Sequence, residues 1–367
     1  MKARIIAYYL PQFHTIPEND LWWGKGFVEW TNVKNAKPLF WGHRQPIKPG
    51  DLGYYDLNDP VVRNKQAEMA KSFGIEGFCY WHYWFGNGKR LLEMPFNEVL
   101  KSKQPDFGFS LAWVNVDWGG LPYGDKYNRL LQKQEYPGKQ DYINHFQEVL
   151  PAFLDARYLT INDKPIFTIY NPNGLPNCLE FIDLWQKLAI QNGLKGIYFI
   201  AYQHFDYDYK RHGFDALTPP SPSHLFMRIR YSFMDSLIHK FSGYRLNQLT
   251  RGTLKMRNLY SHRRLVKASN YDDISRDIKF FPSLSPNWDH SPRSGQMGSV
   301  IINQDPTLFG DNLTNCYDRI KDYHHDEKII FIKAWNEWGE GNYLEPDEHS
   351  GYANLEVVRD FQYGQNN

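Results

Sequence analysis

The sequence predicts an α/β protein, an eight-stranded (β/α) TIM-type barrel in which residues 1–367 form a single domain. Three observations predict it. Eight short, near-continuously apolar runs recur along the 367 residues. Helical patterns fall between them. Residues that pair aromatic with hydrogen-bonding character sit at the C-terminal ends of the runs, where barrel enzymes carry their chemistry. A strand covered on both faces reads as a continuous apolar run rather than an alternating one. Such runs alternating with helices give a parallel sheet. The rival is a doubly wound open sheet, but no GxGxxG follows a strand and no GxxxxGK[ST] is present, so nothing favours a nucleotide-binding sheet.

The expected strands are 4–10 (RIIAYYL), 75–84 (IEGFCYWHYW), 106–115 (DFGFSLAWVN) and 164–171 (KPIFTIYN), followed by 195–202 (KGIYFIAY), 214–219 (FDALTP), 279–288 (KFFPSLSPNW) and 328–336 (KIIFIKAWN). A helix is expected from Asp59-Pro60, an N-cap followed by Pro at the first helical position, to Gly74. Others are expected at about 140–157, 177–192 and within 311–326. Two insertions interrupt the alternation. Residues 11–58, rich in Trp, Gly, Pro and Asn, form a long loop after strand one that is expected to cover the active site. Residues 222–279, after strand six, carry 12 Lys plus Arg against 4 Asp plus Glu. Leu225, Ile229, Phe233, Leu237 and Phe241 stand there at helical spacing. This basic helical insertion reads either as a solvated excursion or as a dock for phosphates or an anionic membrane surface.

The whole chain has a net charge of +1, which argues against nucleic-acid binding through bulk charge. Mean hydropathy is −0.62, and no apolar run is long enough to span a bilayer. The chain opens directly on the strand pattern Arg4–Tyr9 with no leader pattern before it, and Cys79, Cys178 and Cys316 lie far apart. Both features fit a reducing, cytoplasmic setting. Trp, Tyr and Phe make up 17% of the residues, and many stand beside Asn, His, Asp and Glu. Aromatic faces with polar neighbours suit ligands that have an apolar CH face and many hydroxyls, which describes sugars.

Seven strand ends share this character. They supply the candidate sugar-binding residues Tyr9, Trp81, Tyr83, Trp113, Asn115, Tyr170, Tyr202, Trp288, Trp335 and Asn336. The first insertion adds His14, Trp23, Glu29 and Trp30. The last strand end reads Trp335-Asn336-Glu337-Trp338-Gly339-Glu340. Two carboxylates three residues apart can face one pocket if the chain turns between them, and Gly339 allows a turn. Like charges held close split their proton affinities, so one can serve as acid while the other serves as base or nucleophile. Glycosidic-bond chemistry needs such a pair. Glu337 and Glu340 are therefore the candidate catalytic residues, and Glu345 is a third carboxylate that could bind substrate or hold the loop. Asp206-Tyr207-Asp208 matches a bare DxD but lacks the sheet that gives that motif meaning. The 13 histidines show neither HExxH nor ligand spacing with Cys, so no metal and no cofactor is expected.

The segments FHTIPENDLWWGKGFVEWTNV (13–33), GHRQPIKPGDLGYYDL (42–57), GIEGFCYWHYWF (74–85) and AWNEWGEGNYLEPD (334–347) resemble the WbsX-like family, which is found with bacterial O-antigen and capsule gene sets. That family is related to glycoside hydrolase family 99, the endo-α-mannosidases. The resemblance runs from about residue 4 to about 360. It implies a (β/α) barrel, retention of anomeric configuration through the sugar 2-hydroxyl, and a Glu-x-x-Glu pair. It further implies Glu337 as base toward that hydroxyl and Glu340 as acid/base at the leaving oxygen. Mannose specificity is not implied, because residues 11–58 are much more WbsX-like than family-99-like. The expected substrate is a bacterial surface polysaccharide, an oligosaccharide fragment or a precursor. Hydrolysis is the leading expectation. A glycosyltransferase or transglycosylase contacting lipid-linked glycan at the inner membrane face, and a non-catalytic glycan-binding barrel, are the alternatives.

Overall fold

The computed structural model describes residues 1–120, 129–230 and 258–364. Eight parallel strands form the barrel. They are β1 (Arg4–Tyr9), β2 (Gly77–Trp84), β3 (Gly108–Trp113), β4 (Lys164–Ile169), β5 (Tyr198–Tyr202), β6 (Ala216–Thr218), β7 (Ser283–Leu284) and β8 (Ile329–Ile332). They neighbour one another in the order β6-β5-β4-β3-β2-β1-β8-β7. The ring closes between β6 and the segment leading into β7. Leu217 bridges Phe280 in parallel, with Leu217 N–H donating to Lys279 O at 3.0 Å and Phe281 N–H donating to Leu217 O at 2.8 Å.

The strands are shorter than their apolar runs because pairing stops while the aromatic residues continue into the loops. The expected last strand, 328–336, ends its pairing at Ile332. Its remainder leads into a small antiparallel hairpin of Asn336–Glu337 with Asn342–Tyr343.

The helices of the described residues are α1 (Pro17–Trp23), α2 (Glu29–Asn35), α3 (Pro60–Ser72), α4 (Met94–Ser102), α5 (Lys139–Phe153), α6 (Cys178–Gln191), α7 (Ser223–Arg230), α8 (His262–Ala268), α9 (Ser291–Ser294), α10 (Pro306–Ile320) and α11 (Ala353–Tyr363). Helix α3 starts as its sequence directs: Asp59 Oδ1 accepts from Val61 N–H at 2.8 Å, and Gly74 follows the last turn with φ +84°. Helix α10 begins earlier than the expected 311–326 window. Asp305 caps Thr307 N–H at 2.8 Å ahead of Pro306, the same Asp-Pro signal as at α3. The 11–58 loop is not featureless, since it carries α1 and α2. Of the basic insertion, residues 231–257, with Phe233, Leu237 and Phe241, lie outside the described residues. Leu225 and Ile229 fall on α7 and join Phe226, Tyr260, Leu265, Trp288 and Ile301 in a satellite core. Arg228 spends its guanidinium on Ala268 O, Asn270 O and Asp273 Oδ1, which pins α7 to α8. Among the described residues, no helix is long and apolar enough to cross a membrane.

Each barrel strand sends alternate side chains to opposite faces. On β1, Tyr8 points inward, where it stacks on Trp81 at 4.4 Å and on Phe331 at 5.2 Å. Tyr9 points outward into the layer under α3, where its hydroxyl donates to Gln66 Oε1 at 2.7 Å. The main core follows this division, with an inner plug of side chains and an outer aromatic layer of Phe78, Trp113, Phe167, Phe199 and Trp335 beneath the helices.

Candidate active site

Glu337 and Glu340 leave the C-terminal end of β8 through a short 3-10 turn, Trp338–Glu340. The left-handed residue of this turn is Gly341 (φ +52°), not Gly339. Gly339 is required for a different reason. A Cβ there would lie 1.6 Å from Glu29 Oε1, so the loop carrying α2 seats its carboxylate directly on the glycine. That packing brings a third acidic residue to the pair.

Two cations organise these carboxylates. Lys333, the residue directly after β8, sits with Nζ 3.1 Å from Glu337 Oε2 and 2.7 Å from Glu340 Oε2. Its ammonium also lies 5.0 Å from the centre of the Trp288 ring. Arg293 of α9 joins Glu340 Oε1 through Nη1 at 2.6 Å and Glu29 Oε1 through Nε at 2.7 Å. The other Glu337 oxygen accepts from Trp81 Nε1 at 2.5 Å. The floor is aromatic: Trp81 meets Tyr170 and Tyr202 edge-on at 5.9 and 6.0 Å, and those two tyrosines stack at 4.9 Å.

The environments push the two acids apart. Burial, reinforced by the Glu340 charge, raises Glu337 from an ordinary value of 4.5 to about 7. Burial would raise Glu340 too, but Lys333 and Arg293 outweigh it and hold this carboxyl well below its usual range. Burial also opposes the charge on Lys333, and the two carboxylates overcome it, leaving the ammonium firmly protonated. His290 Nε2 lies 3.7 Å from Glu340 Oε1, and burial brings that imidazole down to about 4, so it is neutral near pH 7.

The structure gathers some of the sequence-predicted residues around this pair and disperses others. Trp81, Tyr170, Tyr202, Trp288 and Glu29 surround it with Glu337 and Glu340. Tyr9 and Trp335 face the outer layer instead, where Trp335 packs on Phe78 at 5.2 Å. Trp113 does likewise, edge-on to His145 of α5 and with Nε1 donating to Trp84 O at 2.9 Å. Tyr9 and Trp113 occupy outward positions of their strands, and Trp335 lies beyond the last residue of β8. Asn336 splints backbone: its Oδ1 accepts from Leu10 N–H at 2.7 Å and its Nδ2 donates to Leu10 O at 3.0 Å. Asn115 does the same between loops, donating to Asn171 O at 2.7 Å and accepting from Asn171 N–H at 2.7 Å.

Trp30 ties the loop to the turn, packing on Trp338 at 5.4 Å and donating to Tyr55 O at 2.8 Å. His14 is buried within the same loop. Tyr83 stacks on Trp118 at 5.2 Å, and Trp23 lies beside Phe27 at 5.9 Å, both away from the carboxylate pair. Glu345 is enclosed by Gln66 Nε2 at 2.7 Å, Tyr55 OH at 3.0 Å and Trp338 Nε1 at 2.6 Å. It is an anchor for the turn. Asp206 and Asp208 are exposed, and Asp208 caps Arg211 N–H at 3.2 Å.

Sequence reasoning missed Lys333 and Arg293. A lysine inside the apolar run Ile329–Trp335 was the available signal for the first. Nothing in the sequence marks Arg293. It also missed the clasp that holds the insertion over the site. His43 Nε2 and Gln45 Nε2 reach Asp289 Oδ2 at 2.7 and 2.6 Å, and Asp289 N–H donates to Glu340 O at 2.8 Å. Next to Trp288, Phe226, Met227, Tyr260 and Met297 line an open cavity of about 220 Å³.

Comparison with known proteins gives a consistent picture. The family model described as glycosyltransferase WbsX matches residues 5–358. Two proteins from strains of Xanthomonas campestris pv. campestris, each named uncharacterized protein WxcX, are 34% identical over 366 residues, which is 98% of this chain and 49% of theirs. The chain thus spans about half the length of the curated relatives it matches. Among solved structures, a glycoside hydrolase-like protein superposes with TM-score 0.60 at 13% identity, covering 98% of this chain and 93% of that one. An endo-α-mannosidase of glycoside hydrolase family 99 from Bacteroides thetaiotaomicron superposes with TM-score 0.59 at 12% identity, covering 99% and 96%. At that identity the likeness is one of fold.

Proposed function

Starting from a chain that belongs to the glycosyltransferase WbsX family, we propose that it is a carbohydrate-active enzyme that makes or breaks glycosidic bonds through Glu337 and Glu340. The substrate class proposed is a bacterial surface polysaccharide or its precursor. The observation that carries this reading is the buried carboxyl pair at the C-terminal end of β8, its proton affinities split by fixed neighbours and its floor built of Trp81, Tyr170 and Tyr202. Barrel enzymes place their reacting groups at this end of the strands. Two carboxyls of unequal proton affinity can protonate a leaving oxygen and accept a proton from an attacking hydroxyl in one cycle.

The attacking hydroxyl decides between hydrolysis and transfer. Water gives cleavage, and a sugar hydroxyl gives a new linkage. The family description favours transfer, and the fold shared with a family 99 endo-α-mannosidase supports cleavage. In the transfer reading, the basic 222–279 segment contacts the pyrophosphate of a lipid-linked glycan. Mass spectrometry of bacterial surface oligosaccharides incubated with the protein, with and without nucleotide-sugar donors, tests both. Shorter products without donor establish cleavage, and products one sugar longer only with donor establish transfer. Unchanged glycans under every combination would contradict the proposal.

A further inference from the structure

The buried cluster contains three carboxyl groups, Glu29, Glu337 and Glu340, and two cations, Lys333 and Arg293. Among the described residues, the other titratable groups facing it are neutral near pH 7 or engaged elsewhere. Burial keeps His290 an imidazole, and it holds the hydroxyls of Tyr8, Tyr170 and Tyr202 protonated. Asp289 is taken up by His43 and Gln45. Fully ionised, the cluster would bury one net negative charge. A single shared proton would remove that charge, and a buried site disfavours uncompensated charge.

Geometry says where the proton goes. Glu340 has a cation on each oxygen: Lys333 at 2.7 Å on Oε2 and Arg293 at 2.6 Å on Oε1. Glu337 has one cation in contact, Lys333 at 3.1 Å, a neutral indole N–H on its other oxygen, and the Glu340 carboxyl beside it, which favours a proton on Glu337. We propose that Lys333, backed by Arg293, is the positioning residue that places the shared proton on Glu337 and keeps Glu340 ionised, making Glu337 the acid and Glu340 the base of the pair. This assignment rests on the glycosidic reading for its catalytic meaning, and it reverses the roles that the family resemblance implies.

The step balances. Glu337 gives its proton to the glycosidic oxygen as the bond from the anomeric carbon to that oxygen breaks. The carboxylate left behind is met by Lys333 and by Trp81 N–H. Glu340 takes the proton from the hydroxyl whose oxygen forms the new bond to the anomeric carbon. The cluster loses one proton and gains one, so its net charge never changes. Proton return from Glu340 to Glu337 resets it.

Carbon-13 NMR of glutamate-labelled protein tests this without any activity. The side-chain carboxyl signals are titrated in the parent, in Lys333→Met and in Lys333→Arg, and assigned with Glu337→Gln and Glu340→Gln. The parent is expected to show the Glu337 signal titrating near neutrality, with Glu340 ionised throughout the neutral range. Lys333→Met is expected to raise the proton affinity of Glu340 by about tenfold or more, one pH unit. Lys333→Arg is expected to restore most of that shift. A parent whose Glu340 titrates near neutrality while Glu337 stays ionised overturns the assignment, and this result does not depend on whether Lys333→Met folds. A folded Lys333→Met variant with both midpoints unmoved overturns the role of Lys333. Either outcome leaves the glycosidic reading standing, and that reading can fail in the mass-spectrometric experiment with the proton assignment intact.

Discussion

Glu337 and Glu345 lie eight residues apart on the same excursion from β8, both are buried, and both carboxyls are pushed up to about 7. Their surroundings differ in kind. Glu345 is met by three neutral donors, Gln66, Tyr55 and Trp338, and its raised value comes from burial alone against those bonds. Glu337 is met by a second carboxyl, an ammonium and an indole, and its value depends on charges that a reaction can move. A raised carboxyl pKa therefore does not identify a catalytic acid. What separates Glu337 from Glu345 is a charged partner with opposite bias, Glu340. Glu345 instead clamps the Trp338 turn to α3, so that the pair is held from behind.

Breaking each region separates the two roles. The largest effect is expected from Arg293→Met. It leaves Glu29 and Glu340 buried without their shared cation, and such a loss costs about 3–5 kcal/mol. Chemical denaturation should record it as a lowered midpoint. Glu345→Ala comes next. Three buried donors lose their acceptor at about 1–3 kcal/mol, while turnover per folded molecule should stay within a few-fold of the parent. A larger loss of turnover than of stability would move Glu345 into the reacting group.

Gly339→Ala is expected to cost about 1–3 kcal/mol through overpacking and to unseat Glu29 from Arg293. A crystal structure of that variant should show α2 displaced from the turn. The smallest effect is a slope. Folded Glu345 holds a proton that the unfolded chain releases above 4.5, so its contribution to stability falls as pH rises from 4.5 to about 7. Glu340 has the opposite sign: its contribution is complete above the ordinary carboxylate value and is lost as pH falls through its lowered folded value. Thermal melts of Glu345→Gln between those two pH values should be flatter than those of the parent.

Much of this was legible in the sequence, and particular residues show why the rest was not. The eight strands were legible because each is covered on both faces. Their ends were not, because aromatic and hydrogen-bonding residues such as Asn115, Tyr170 and Trp335 carry on past the last paired residue. The Glu337–Glu340 spacing was legible because both belong to one short segment. Tyr8 and Tyr9 were indistinguishable, since neighbouring strand residues point to opposite faces and only the register decides which one enters the barrel. Arg293 reaches Glu29 across 264 positions and Glu340 across 47, contacts that exist only once the barrel closes. Gly339 was singled out for its backbone freedom, and its actual requirement is the space taken by Glu29.

The most direct test of the central claim measures glycan binding and turnover side by side in Glu337→Gln, Glu340→Gln and Glu345→Gln, on whichever oligosaccharide the parent converts. The account predicts that all three bind. It also predicts that the first two lose about 10²–10⁴-fold in turnover, the scale of acid–base catalysis, while Glu345→Gln keeps it. Parent-like turnover in Glu337→Gln or Glu340→Gln would contradict it.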